Sequence, residues 1–200
     1  MTHIIEPHGG ILCDLLIHGK QGIQIRTESI HLPSLTLNDR QLCDLELLLN
    51  GSFSPLTGFL TQKDYDSVVS DLHLSNGTLW PIPITLDVDK EFSDDISSGD
   101  KIVLRDHEGV ALAVMTISDI WTPNKEDEAM QVYGTQDTVH PAVDYLLNQS
   151  GEVYIGGKLE GLELPRHYDY TPLRHTPAEL RSKFEKMGWT TVVAFQTRNP

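Results

Sequence analysis

The sequence predicts a mostly β domain, a small barrel with short helices, followed from about residue 169 by the first helix–strand unit of an α/β domain. Three observations carry this. From residue 79 the apolar pattern changes to the period of two expected of half-buried strands. Runs of strands with few helices between them then continue to about residue 168. Beyond that point a capped helical pattern leads into an unbroken apolar run, the mark of a strand covered on both faces.

Composition sets the outer limits. The 200 residues suit one or two domains, and 22% charged against 39% hydrophobic residues describes a globular chain rather than a disordered one. The net charge is −14, from 29 acids against 15 bases. That balance argues against nucleic acid, because no Lys/Arg cluster exists to displace phosphate counterions. It also has the wrong global sign for an anionic substrate, so an anion site must be built locally from a few residues. The N-terminus lacks the basic and apolar regions of a secretory signal, and no apolar stretch is long enough to span a bilayer. Cys13 and Cys43 stand alone and read as reduced thiols of a cytosolic (cytoplasmic) protein. Nine scattered His residues form no ligand pair, which argues against a structural metal.

Residues 1–37 read as irregular, with a short apolar run from Ile11 to Ile17. A helix follows: Asn38 caps, Gln41 takes the third position, Leu42, Leu45, Leu48 and Leu49 line one core-facing side, and Gly51 stops it. Gly51 to Leu60 is a structured loop punctuated by Gly and Pro. A second short helix spans Thr61 to Leu72, with Thr61 capping, Asp64 at the third position, and Tyr65, Val68, Val69 and Leu72 inward. Trp80, Ile82, Ile84, Leu86 and Val88 alternate with Pro81, Pro83, Thr85 and Asp87. That predicts a half-buried strand whose outward prolines place it at an edge or bulge. Lys101–Leu104 and Val110–Ile117 form a hairpin around residues 105–109. Gly151 to Leu164 reads as two short strands about a Gly156-Gly157 turn. His140, near Asp137 and Asp144, could be drawn as a catalytic dyad. It precedes a proline and has no nucleophile in reach, so a loop-fixing role is the better reading. No Gly-x-Gly-x-x-Gly occurs, and the sequence around Lys158 lacks the first Gly and the final Ser/Thr of a P-loop.

The last stretch is the most specific. Thr176 caps a helix, Pro177 is its first residue and Glu179 completes a capping box. Leu180, Phe184 and Met187 recur at helical spacing before Gly188. Thr190 to Phe195 then reads as a buried strand running into Gln196-Thr197-Arg198-Asn199. In extended backbone Gln196 and Arg198 share one face, Thr197 and Asn199 the other. An Arg fork beside an amide donor, with no adjacent carboxylate, suits a small tetrahedral oxyanion, held where ligands bind in open α/β sheets.

The run from Val192 to Pro200 resembles the Gln-x-Arg-Asn motif of the ATP sulfurylase (sulfate adenylyltransferase) family. Pro7–Gly10, the Pro-Leu-x-Gly-Phe element at Pro55–Phe59, Asp137–Pro141 and Arg174–Arg181 are similar to further blocks of that family. The resemblance implies a PUA-like β-barrel domain over 1–168 and, from 169 to 200, the start of a Rossmann-like nucleotidyltransferase domain of α/β type. It implies a transferase joining ATP and sulfate, with Mg2+ accompanying the nucleotide, and a homo-oligomer at full length. It gives catalytic roles to Thr197, Arg198 and Asn199, sulfate binding to Gln196 and Arg198, and ATP contacts to Gln196, Thr197, Arg198 and Asn199. In the family a His-x-x-His element follows the motif at a helix start, and a Gly-Arg-Asp segment comes later. Asn199-Pro200 suits such a helix start, yet neither element is present. The expectation is therefore the first part of a larger enzyme, cut within its active site and inactive alone. The alternative is a non-catalytic binding or assembly module.

Overall fold

The computed structural model describes residues 5–195. Six strands, β1 (Ser34–Thr36), β2 (Gly58–Phe59), β3 (Leu86–Val88), β4 (Lys101–Arg105), β5 (Ala111–Trp121) and β6 (Val153–Gly161), make one mixed sheet. Its order is β1-β4-β5-β6-β2, and β3 shares the outer edge of β6 with β2. The β1–β4 pair is parallel and the others are antiparallel. The sheet path is open, with β1 at one end and β2 and β3 at the other, so the expected closed barrel is corrected to an open sheet. Helices supply what closure would have supplied. Leu45, Leu48 and Leu49 of α2 (Asp39–Leu49), Val68 of α3 (Gln62–Asp71) and Ala129 of α5 (Lys125–Tyr133) join Ile102, Leu104, Met115 and Ile155 of the sheet in one core. A sheet covered this way is an α+β layer arrangement, more helical than the mostly β reading.

The first half of the helical reading holds closely. Asn38 accepts from Gln41 N while Gln41 reaches back to Asn38 N, a reciprocal capping box at the start of α2. Thr61 caps α3 in the same sense. Leu72, expected inward, instead closes α3 in the left-handed conformation, φ 57°, and is exposed. The N-terminal third is less irregular than expected: α1 (Gly19–Glu28) and β1 both fall within it. Two short helices, α4 (Lys90–Asp94) and α6 (Pro141–Asp144), complete the β-rich part.

Two strand expectations are revised. β6 runs continuously through Gly156 and Gly157, with no turn between them. A Cβ on Gly156 would collide with the Leu60 carbonyl oxygen, and one on Gly157 with that of Thr116. These glycines permit close backbone approach from both sides, which is why the pair is Gly without being a turn. The predicted strand at 80–88 is a strand only at β3, and of the residues expected outward Pro81 is exposed while Pro83, Thr85 and Asp87 are buried. The hairpin is as expected, although β5 extends to Trp121.

Asp87 explains the burial. Its Oδ1 accepts from Arg40 Nη2 at 2.7 Å and Gln41 Nε2 at 3.0 Å, and its Oδ2 from Gly151 N at 2.7 Å. Arg40 also reaches Asp44 at 2.7 Å and the Thr85 carbonyl at 3.2 Å. Burial disfavours the charge on Arg40, but Asp44, Tyr145 and Asp87 together raise its pKa. Burial pushes Asp44 up to about 6, against the pull of Arg40. Beyond them lies Glu128, 5% exposed, whose Oε2 accepts from the Tyr65 hydroxyl at 2.8 Å and the Tyr154 hydroxyl at 3.2 Å. Burial raises its pKa more than those hydroxyls lower it. Tyr65, Trp121 and Tyr154 pack around it with ring centroids 5.5–5.8 Å apart.

Two outcomes follow from this packing. Gly157→Ala forces backbone apart in the middle of the longest ladder and is expected to destabilise by about 1–3 kcal/mol, read as a lower urea midpoint. A midpoint within error of the parent would refute the close-approach account. Glu128 holds its proton to higher pH folded than unfolded, so the folded chain binds more protons between those values and stability falls as pH rises through them. Glu128→Gln removes that loss. The stability of the variant relative to the parent should therefore climb as pH rises from about 4, the ordinary Glu range, towards neutrality. Asp44 contributes a decline of the same sign to both proteins and cancels in the difference. A flat difference, from thermal unfolding at several pH values, would place an unshifted carboxyl at Glu128.

Candidate functional site

The chain leaves the sheet at Gly161 and is then tied down by polar contacts. His167 Nε2 lies 2.9 Å from each oxygen of Glu46 on α2. Arg26 lies 3.6 Å from Glu163. Arg174 donates to the carbonyl and carboxylate of Asp169 at 3.1 and 3.0 Å, which lowers the pKa of that exposed carboxyl. Helix α7 (Pro177–Lys186) begins as the sequence predicts. Thr176 accepts from Glu179 N, Glu179 accepts from Thr176 N at 2.8 Å, and Pro177 opens the helix. Acidic Glu179 sits in its first turn and Lys183 and Lys186 in its last, in keeping with the helix dipole.

Leu180 and Phe184 are half-buried and Met187 is exposed, so the expected apolar face of α7 is only partly covered. Phe184 stacks on Trp189, with centroids 5.9 Å apart, around a hollow of about 150 Å3 that Ile5, Arg181 and Val192 also line. Arg181 Nη1 donates to the Ile5 carbonyl at 2.7 Å and so fastens α7 to the N-terminal segment. Residues 190–195 are not a strand in the structure. Val193 and Phe195 are 88% exposed, and among the described residues no ladder partner covers them. An apolar run forms a buried strand only where neighbours supply the hydrogen bonds and the cover. Gln196, Thr197, Arg198 and Asn199, the predicted substrate-binding residues, lie outside the described residues.

The other sequence candidate has no catalytic geometry. His140 is exposed, precedes α6 and packs against the Tyr133 ring at 5.3 Å. The carboxylates beside it are engaged elsewhere: Asp137 accepts from Val139 N, and Asp144 from Asn148 and Gln149. Cys13 is buried, Cys43 is exposed, and both are free. Burial, then nearby acids, raises the Cys43 thiol pKa, opposite to what a nucleophilic cysteine needs. Among the described residues no helix is long and apolar enough to cross a membrane.

The polar cluster of Arg40, Asp87 and Glu128 was not singled out by sequence reasoning. Its available signals were the Arg40/Asp44 pair one turn apart and the charged Asp87 between Leu86 and Val88.

Comparison with known proteins assigns the parts. The PUA-like domain family matches residues 5–164, and the ATP-sulfurylase family matches residues 171–200. The chain is 55% identical over 211 residues to a sulfate adenylyltransferase of Candida albicans, covering 98% of this chain and 40% of that protein. It is 50% identical over 197 residues to the sulfate adenylyltransferase of Saccharomyces cerevisiae, covering 97% and 38%. A solved structure described as a hexameric APS kinase from Thiobacillus denitrificans superposes with a TM-score of 0.78 at 37% identity, over 99% of this chain and 35% of that one. The chain thus spans about two fifths of the length of these curated relatives. It belongs to the PUA-like domain family, whose model matches residues 5–164, and its residues 171–200 are similar to the ATP-sulfurylase family.

Proposed function

We propose that this chain serves a sulfate adenylyltransferase: residues 1–168 as its PUA-like domain and 169–200 as the start of its Rossmann-like nucleotidyltransferase domain. The observation that carries the reading is the Gln196-Thr197-Arg198-Asn199 run, set after a capped helix in a chain half identical to proteins of that name. In the proposed reaction a sulfate oxygen forms a bond to the α-phosphorus of ATP. The bond from that phosphorus to the bridging oxygen breaks, and pyrophosphate leaves to give adenosine 5′-phosphosulfate. Sulfate is fully ionised at neutral pH, so no general base is needed. The task is to hold one dianion against the charged triphosphate, which calls for positioning and charge neutralisation.

Arg198 supplies a fixed charge and a planar fork for sulfate, and Gln196 a neutral donor on the same face. Asn199 is assigned to the nucleotide and Thr197 to shaping the backbone between them. Magnesium enters with ATP as part of the substrate, with no protein ligand assigned. A protein of this kind works in sulfate assimilation in the cytoplasm, as a homo-oligomer, with neither nucleic acid nor membrane as partner.

Two measurements test this reading. In the protein that carries the whole site, Arg198→Lys should lose about 2–4 kcal/mol of transition-state stabilisation, because a point charge cannot replace a bidentate fork. Turnover and sulfate dependence close to the parent's would remove Arg198 from the site. Amide hydrogen exchange tests the division at 168/169. Exchange should be slow in β4–β6 and fast beyond 169, where α7 has no buried residue. Equal protection on both sides would refute the boundary.

A further inference from the structure

The dipeptide Asn-Gly occurs twice in the chain, at Asn50-Gly51 and at Asn76-Gly77. Its chemistry is distinctive, because glycine leaves its backbone nitrogen unhindered towards the preceding asparagine side chain. Neither pair has a part in the proposed function. In both, the asparagine side chain is folded back over the next peptide. Asn50 Oδ1 accepts from Ser52 N at 2.9 Å and Asn76 Oδ1 from Thr78 N at 3.0 Å, a turn that sets each carboxamide over the glycine nitrogen. In both, the glycine N–H is engaged: Gly51 donates to the Leu48 carbonyl at 3.3 Å and Gly77 to that of Leu74 at 2.8 Å. The local geometry is therefore shared, and attack by either nitrogen requires a local opening.

The packing around the two sites differs. Gly51 is buried, and a Cβ there would collide with the Cys13 carbonyl oxygen. Its own carbonyl accepts from Ser54 N at 3.1 Å and Ser54 Oγ at 2.6 Å, and Ser54 Oγ accepts in turn from Cys13 N at 2.9 Å. Opening at Gly51 thus disturbs the end of α2, beside the buried Leu48 and Leu49. Ser75, Asn76 and Gly77 are exposed, and nothing lies within 4 Å of the place a Gly77 Cβ would take. Opening there frays only a surface turn between the paired residues His73 and Leu79.

We propose that Asn76 is a modification site at which the folded chain deamidates while Asn50 is spared. Gly77 N gives up its proton to solvent base and bonds to Asn76 Cγ. The Cγ–Nδ2 bond breaks and Nδ2 leaves as ammonia, closing a five-membered succinimide. Water then adds to either ring carbonyl and opens the ring to aspartate or isoaspartate. Only water is consumed, and no redox partner takes part. Either product adds one negative charge, and isoaspartate also lengthens the backbone of the turn by one carbon.

The test incubates the 200-residue chain in mildly alkaline buffer, folded and in urea, and follows it by tryptic peptide mass mapping. Cleavage after Arg40, Lys63 and Lys90 puts Asn50 and Asn76 on separate peptides, 41–63 and 64–90, each with no other asparagine. The expected result in buffer is an amide-to-acid mass gain on 64–90, shared between aspartate and isoaspartate. Peptide 41–63 should be slower by about tenfold or more, because its ring closes only after a costlier opening. In urea, where neither glycine is held, the two peptides should gain at similar rates. Asn76→Gln should abolish the gain on 64–90. No gain on 64–90 in the folded chain, equal rates for the two peptides in buffer, the same ratio of rates in urea as in buffer, or a gain that survives Asn76→Gln would each overturn the proposal.

Discussion

Asp87 is the interaction on which the arrangement of this sheet depends. A carboxylate in an apolar strand between Leu86 and Val88 would cost several kcal/mol to bury unpaired. Here it is surrounded by a guanidinium and a side-chain amide from the start of α2 and a backbone N–H from a distant part of the chain. Arg40 and Gln41 bring the start of α2 to β3, and Gly151 brings the start of β6 alongside. A Cβ on Gly151 would strike the backbone of Val88, so the approach is as close as a chain allows.

That network also shows why an open sheet is sufficient. Once α2 is fixed across β3, its leucines fill the volume that a closed barrel would have filled with its own strands. Lys101–Arg105 illustrates the consequence at the other edge. Ile102, Val103 and Leu104 are all fully buried, although successive strand residues point to opposite faces. Both faces of β4 are covered, and its outer edge is taken by the short parallel β1. The edge strands, β1, β2 and β3, are three, two and three residues long, which leaves little unpaired backbone for another chain to extend.

The elements legible in the sequence were those specified locally. Asn38 with Gln41, Thr61 with Asp64, and Thr176 with Glu179 place helix starts through contacts three residues apart, and each is found where expected. Non-local facts were misread. Asp87 alternates correctly for a half-buried strand, but its partners Arg40 and Gly151 are distant in sequence, so its burial leaves no local trace. Gly156-Gly157 has the composition of a turn and the function of a crossing point, a difference decided by Leu60 and Thr116 on neighbouring segments. Helix α5 was passed over although Asn124 caps it and Gly134, φ 72°, ends it, because its face is short and strongly charged. At the candidate site, the motif's chemistry is an expectation from residue types, and residues 196–199 lie outside those described. The motif's setting was not legible, since a strand at 190–195 depends on neighbours that no local pattern encodes.

The segment that leads to the motif is held by direction rather than by burial. Helix α7 has no fully buried side chain, so the apolar surface it covers cannot fix its orientation. Its position rests instead on Arg181 to the Ile5 carbonyl, His167 to Glu46, and the Arg174–Asp169 loop clasp. Polar ties of this kind are geometrically selective but contribute little energy each at an exposed surface, about 0–1 kcal/mol for an ion pair. The exposed faces of Val193 and Phe195 provide the complementary quantity, apolar area worth about 25 cal/mol per Å2 to any surface that covers it. The physical division of labour is therefore clear. Polar contacts to Ile5 and Glu46 hold the segment that carries α7, while the apolar surface of Val193 and Phe195 lies uncovered among the described residues.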